Sequence, residues 1–184
     1  GCRLTSSMCS SGKKTRIAGT EVLLSEPDSP SGIVFLLPGS IISVSEYEST
    51  RKVLLEQRRV VISFFMNVLT TSHDDFAHAV RDIYSEYTAQ GRAFGHYGVV
   101  GHSVGAKVGL LLAAKHDPSR IGTVLALDPV DEVPVEFTNA DQFAPNLTLE
   151  RAAAEGTTIQ ITFAAATPGR PFGIGAAHNA RAVH

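Results

Sequence analysis

Gly101-His102-Ser103-Val104-Gly105 has the spacing G-x-S-x-G, which turns a serine hydroxyl outward as a nucleophile for acyl transfer. A serine alone attacks poorly at neutral pH; it needs a base to take its proton and an acid to orient that base. It also needs backbone donors for the oxygen that becomes negative. The amide of Val104, directly after the serine, is one such donor. The second is expected from the loop that follows Pro38-Gly39, at Ser40 or Ile41. Asp128 directly follows a buried apolar run and is the candidate orienting acid, with Asp131 as its competitor. The same residues exclude two phosphate-binding readings. Lys107 follows Ala106 and precedes Val108, so no G-x-x-x-x-G-K-[ST] loop exists here. Glycines at 98, 101 and 105 do not have the G-x-G-x-x-G spacing of a dinucleotide site.

The base is harder to place. The chain has seven histidines. His102 lies inside the turn and points away from its neighbour's hydroxyl. His73, His78, His96 and His116 all precede the acid. In the chain order serine, acid, histidine, only His178 and His184 remain. The tail that carries them, Thr167-Pro168-Gly169-Arg170-Pro171, reads as irregular. It is too short for a further helix, strand and histidine loop. The expectation is a chain cut short, whose catalytic histidine is absent, with His178 and His184 the only candidates within it. The chemistry requires no metal and no cofactor.

Elements of the right kind surround these residues. Tyr97-Gly98-Val99-Val100 reads as a buried strand entering the serine turn, and Ala106–His116 as a helix leaving it. Ile33–Leu37, Val60–Phe65, Ile121–Leu127 and Thr157–Ala164 are further apolar strands, and Glu21–Leu24 is a short one. A helix is expected over Glu46–Gln57. Another is opened by the capping box Ser72-His73-Asp74-Asp75 and closed by Gly91, with Phe76, Val80, Ile83, Tyr84 and Tyr87 on one face. Strands alternating with helices predict an α/β fold, a mostly parallel sheet covered on both faces. Ligands of such sheets bind at the carboxyl ends of the strands. Three of those ends carry Pro38-Gly39-Ser40, Gly101–Gly105 and Asp128-Pro129-Val130-Asp131.

At 184 residues with 43% hydrophobic and 18% charged side chains, the chain has the make-up of one globular domain. A formal charge of −2 does not suggest a nucleic-acid partner. No apolar run approaches the roughly 20 residues of a membrane span. Cys2 and Cys9 form no disulfide framework. Residues 1–19 are basic, serine-rich and free of acids. They are expected to be a disordered arm or the remnant of a transit peptide, with the α/β domain over 20–184.

The segments LLPG at Leu36–Gly39, GHSVGAK at Gly101–Lys107 and ALDPVD at Ala126–Asp131 resemble the α/β-hydrolase superfamily, and within it the chlorophyllase-like branch. The resemblance implies an α/β-hydrolase core, truncated at its carboxyl end, with Ser103 as nucleophile and Asp128 as triad acid. It implies cleavage of the phytyl ester of chlorophyll to chlorophyllide and phytol, and a chloroplast location; without that branch the location expected is cytoplasmic. Val104 and Ala106 stand where the branch commonly has Arg and Gly, a departure that bears on substrate more than on fold. The apolar residues Val133, Pro134, Val135, Phe137 and Phe143 would offer an apolar ester an approach to the serine. A general lipase or carboxylesterase, and a non-catalytic fragment that lacks the histidine, are the alternatives. The sequence does not set the oligomeric state.

Overall fold

A computed structural model describes residues 12–92, 94–129 and 157–162. Seven strands form one sheet: β1 (Lys13–Ile17), β2 (Thr20–Ser25), β3 (Gly32–Leu37), β4 (Arg59–Ser63), β5 (Tyr97–His102), β6 (Ile121–Leu127) and β7 (Thr158–Thr162). Their order is β1-β2-β4-β3-β5-β6-β7. β1 pairs with β2, and β2 with β4, antiparallel; every other pair is parallel. Of the apolar runs read as strands, β3, β4, β5 and β6 become the parallel centre, where both faces are covered, while β7, expected to be buried, ends the described order and alternates exposed with half-buried residues. Phe35, Leu37, Val60, Ile62, Val99, Val124 and Ala126 are all buried in that centre.

Three α-helices are described: α1 (Glu48–Glu56), α2 (His73–Ala89) and α3 (Val104–Leu111). The chain steps from β3 outward to β4 through α1, then back across β3 to β5 through α2, and onward to β6 through α3. Parallel crossovers are right-handed, so reversing the direction of travel moves the helix to the other face. α1 thus covers one face, against β4, while α2 and α3 pack together on the other. The capping box works as its spacing requires: the Ser72 side chain accepts from the Asp75 amide at 3.1 Å. The α2 stripe Phe76, Val80, Ile83, Tyr84 and Tyr87 is buried in the core.

Several boundaries differ from the sequence reading. Lys13–Ile17, assigned there to a disordered arm, form the edge strand β1. Its exposed charged residues, Lys13, Lys14 and Arg16, are how an edge strand is protected from further pairing, and the same charges disguise it in the sequence. The helix expected from Glu46 begins as a tight 3₁₀ turn, Val44–Tyr47, capped by the Ser43 side chain on the Ser45 amide. β4 stops at Ser63, the last residue paired with β2, so Phe65 leaves the sheet and is 54% exposed. The helix after Ser103 starts two residues earlier than expected, at Val104, and finishes in a wider π turn over Leu112–His116.

Candidate active site

Ser103 lies between β5 and α3 with φ 54° and ψ −115°. A non-glycine residue at positive φ stores strain, and it persists only where the surroundings enforce it. Here they do. A Cβ on Gly101 would lie 2.3 Å from the carbonyl oxygen of Gly105, and a Cβ on Gly105 would lie 2.2 Å from that of Leu37. Only glycine fits at either position. The strand enters and the helix leaves so closely that the serine between them is pushed outward.

The ladder between β5 and β6 pairs His102 with Leu127, and the Ser103 amide donates to the Leu127 carbonyl at 2.9 Å. Ser103 and Asp128 are therefore the next residues beyond two adjacent parallel strand ends, which are spaced by about 4.8 Å. Asp128 also has positive φ, 46°, and its amide donates to the Thr162 carbonyl of β7 at 2.6 Å. Its Oδ1 is buried with no hydrogen-bond partner among the described residues. A buried carboxylate oxygen without a donor is costly.

The loop after β3 closes the third side. The position a Gly39 Cβ would take is 3.4 Å from the Cβ of Ser103 and 3.1 Å from Nδ1 of His102. The Gly39 amide donates to the Tyr47 hydroxyl at 3.0 Å, and that of Ile41 to the Met66 carbonyl at 3.3 Å. Ser40 lies between these two anchored amides, and no described residue accepts from its own. The Val104 amide, first in α3, has no partner within its helix, and the positive end of the helix dipole adds to its field. Strand ends β3, β5 and β6 thus bring Ser40, Ser103, Val104 and Asp128 to one edge of the sheet. Ile41 is on the same loop, but its amide is committed to Met66.

Asp131, His178 and His184 lie outside the described residues, as does the apolar connection from residue 130 onward. No described histidine hydrogen-bonds Ser103. The Nδ1 of His102 is 2.7 Å from the Tyr47 hydroxyl and is committed to that contact. His116 pairs with Asp74, and His78 stacks edge-on against His116 at 4.7 Å. The sequence reading missed Tyr47. No local pattern could have shown it, because it meets His102 across 55 residues of chain.

A cavity of about 810 Å³ adjoins the loop after β3 on the α1 face, with Leu23, Ile41, Val44, Phe65, Arg51 and Ser63 in its walls. Ile41 is 70% exposed and sits at φ 55°, an outlying backbone conformation for a β-branched residue. A second cavity, of about 590 Å³, opens toward the amino ends of the strands around Gly32, His96 and Gly122, away from the serine. Among the described residues no group of His, Cys, Asp and Glu could hold a metal ion, and no helix is long and apolar enough to cross a membrane.

No family model matches the chain, and no curated protein matches it in sequence. Solved structures do match its fold. A hormone-sensitive lipase from a metagenome library superposes with a TM-score of 0.62 at 13% identity, over 87% of this chain and 75% of that one. FphF, a fluorophosphonate-binding serine hydrolase of Staphylococcus aureus, gives 0.58 at 16% identity, over 82% and 76%. Est1E from Butyrivibrio proteoclasticus gives 0.53 at 15% identity over 65% of this chain, which spans 51% of Est1E. Identities this low bear on architecture alone. The seven-stranded, mostly parallel sheet with helices on both faces is the fold of the α/β-hydrolases.

Proposed function

We propose that this protein is a serine ester hydrolase acting through an acyl-enzyme on Ser103. The observation that carries this is the enforced backbone of Ser103, at the end of β5 and the start of α3, one strand away from Asp128. In the first half-reaction the Ser103 oxygen attacks the ester carbonyl while its proton passes to an imidazole. The carbonyl oxygen becomes negative between the amides of Val104 and Ser40. Collapse then expels the alcohol, which takes the proton from the imidazolium, and leaves the acyl group on Ser103. Water repeats the sequence to release the acid. Asp128 orients the imidazole; within this chain the order serine, acid, histidine leaves only His178 and His184 as candidates for that base. Ser40 suits the second donor better than Ile41, because the Ile41 amide is held by Met66.

Substrate is read at two levels. The coarser reading, a carboxylic ester, is supported by the structural relatives named as lipase and serine hydrolase. The finer reading, a chlorophyllase-like enzyme acting on the phytyl ester of chlorophyll, rests on the resemblance of LLPG, GHSVGAK and ALDPVD.

An alkyl fluorophosphonate tests the class. It should label the protein on Ser103, and Ser103→Ala should lose the label and nearly all turnover of p-nitrophenyl esters, on the order of 10⁶-fold for a triad serine, while the melting temperature holds. Labelling that survives in Ser103→Ala would refute the assignment, and a protein that never labels would favour the non-catalytic alternative. Release of chlorophyllide from chlorophyll, against p-nitrophenyl butyrate as comparison, tests the substrate.

A further inference from the structure

We infer that Tyr47 is a positioning residue whose hydroxyl clamps the oxyanion loop to the serine turn by bonding Gly39 and His102 at once; this rests on the serine-hydrolase reading above.

Tyr47 sits where the 3₁₀ turn Val44–Tyr47 meets α1. Its oxygen accepts from the Gly39 amide at 3.0 Å and lies 2.7 Å from His102 Nδ1. A phenol has one hydrogen and can accept as well as donate. The Gly39 amide can only donate, so it uses an acceptor site on the phenol oxygen. The phenol hydrogen is then free to go to Nδ1, which places the His102 ring proton on Nε2. In this arrangement each of the three groups is paired. If Nδ1 carried the ring proton instead, the half-buried phenol hydrogen would lose this partner. Burial also raises the Tyr47 pKa above its ordinary value, with the Gly39 amide opposing in part, so the hydroxyl keeps its hydrogen across the neutral range.

The two groups so joined flank the reacting serine. His102 precedes Ser103 directly in the chain. Gly39 precedes Ser40, whose amide is the proposed second oxyanion donor. The direction of that amide is set by the backbone angles of Gly39, and glycine is the least restrained residue a chain can place there. The Ile41–Met66 hydrogen bond fixes the loop on one side of Ser40, and Tyr47 fixes it on the other. Oxyanion donors act by being aimed before the charge appears, so loosening one end of the loop should lower the rate of the chemical step more than it weakens binding.

The experiment compares Tyr47→Phe with the unaltered protein, using an alkyl fluorophosphonate as probe because its phosphoryl oxygen must enter the same donors. The maximal rate of Ser103 labelling should fall about tenfold. That is less than the 10²–10³ lost when a donor is removed outright. The probe concentration giving half-maximal rate should stay within twofold. His102→Leu should slow labelling similarly, and the double variant should be no slower than either single one, because both changes break one clamp. His102→Asn, which can still accept from the phenol, should recover most of the rate. The ¹⁵N signals of the His102 ring should show Nδ1 without a proton, and a protonated Nδ1 in the unaltered protein would overturn the arrangement even if Tyr47→Phe did not fold. Wild-type labelling in Tyr47→Phe, with Ser103→Ala unlabelled, would overturn the clamp and leave the hydrolase reading standing. Label retained in Ser103→Ala would overturn the hydrolase reading itself.

Discussion

Asp128 occupies a position that a carboxylate holds only at a cost. Its backbone is in the left-handed region at φ 46°, and its Oδ1 is buried without a donor among the described residues. Leaving a buried polar atom unpaired costs roughly 1–3 kcal/mol, a penalty that active sites carry when the group has work to do. Asp128→Asn should therefore have opposite effects on rate and stability. Asparagine tolerates the same backbone and is neutral, so the melting temperature should hold or rise. An amide cannot stabilise the imidazolium or hold the right tautomer, so turnover should fall by up to about 10⁴-fold. Asp131→Asn should cost much less. Thermal denaturation alongside ester turnover checks both, and the reverse ranking of the two aspartates would transfer the role to Asp131.

At the scale of elements, the turn between β5 and α3 depends on two absent side chains. Gly105→Ala would drive a methyl group to 2.2 Å from the Leu37 carbonyl, which is backbone and cannot swing aside. Either β3 or α3 must move, and both carry core residues. The expected loss is on the order of 4 kcal/mol, in the range reserved for core disruption, with turnover lost as well. Urea denaturation measures it, and a loss below about 1 kcal/mol would mean the turn is far more compliant than its geometry implies. This turn was legible in advance because its glycines, strand and helix are adjacent in sequence. β1 was not, because KKTRI is ordinary as a charged coil and becomes a strand only through its pairing with β2.

Across the whole molecule, α2 and the end of the α3 segment are tied together by His116 on Asp74, with Lys115 on the same carboxylate at 3.1 Å. Burial lowers the His116 pKa, outweighing the opposing pull of Asp74, with His78 and Lys115 also lowering it. The folded chain thus prefers the neutral ring. On acidification the unfolded chain takes up its proton first, near the ordinary value of about 6.5. Stability is therefore fully present above that value and is lost as pH falls through it toward the lower folded pKa. His116→Gln should remove that component. Urea midpoints at pH 7.5 and 5.5 should differ less for the variant than for the unaltered protein, and an equal or larger difference would contradict this account of the contact.

The sequence by itself determined the class of fold, the tight strand–helix turn around Ser103 and the cap of α2. Each of these is written in short-range terms: apolar runs of strand length, glycines two residues either side of a serine, an aspartate three residues after Ser72. It also placed Asp128 at a strand end, directly after the apolar run Val124–Leu127. Only the tertiary structure decided which strands are neighbours, and with them which residues meet. The order β4-β3-β5-β6 sets Ser40, Ser103 and Asp128 side by side, although they are far apart in the chain. It tied the Ile41 amide to the Met66 carbonyl, a hydrogen bond that no spacing rule anticipates, and left the Ser40 amide without an acceptor among the described residues. It also joined Tyr47 to His102. Contacts of this kind form because the carboxyl ends of neighbouring parallel strands bring distant loops within reach of one hydrogen bond, and local pattern carries no information about which distant loop that will be.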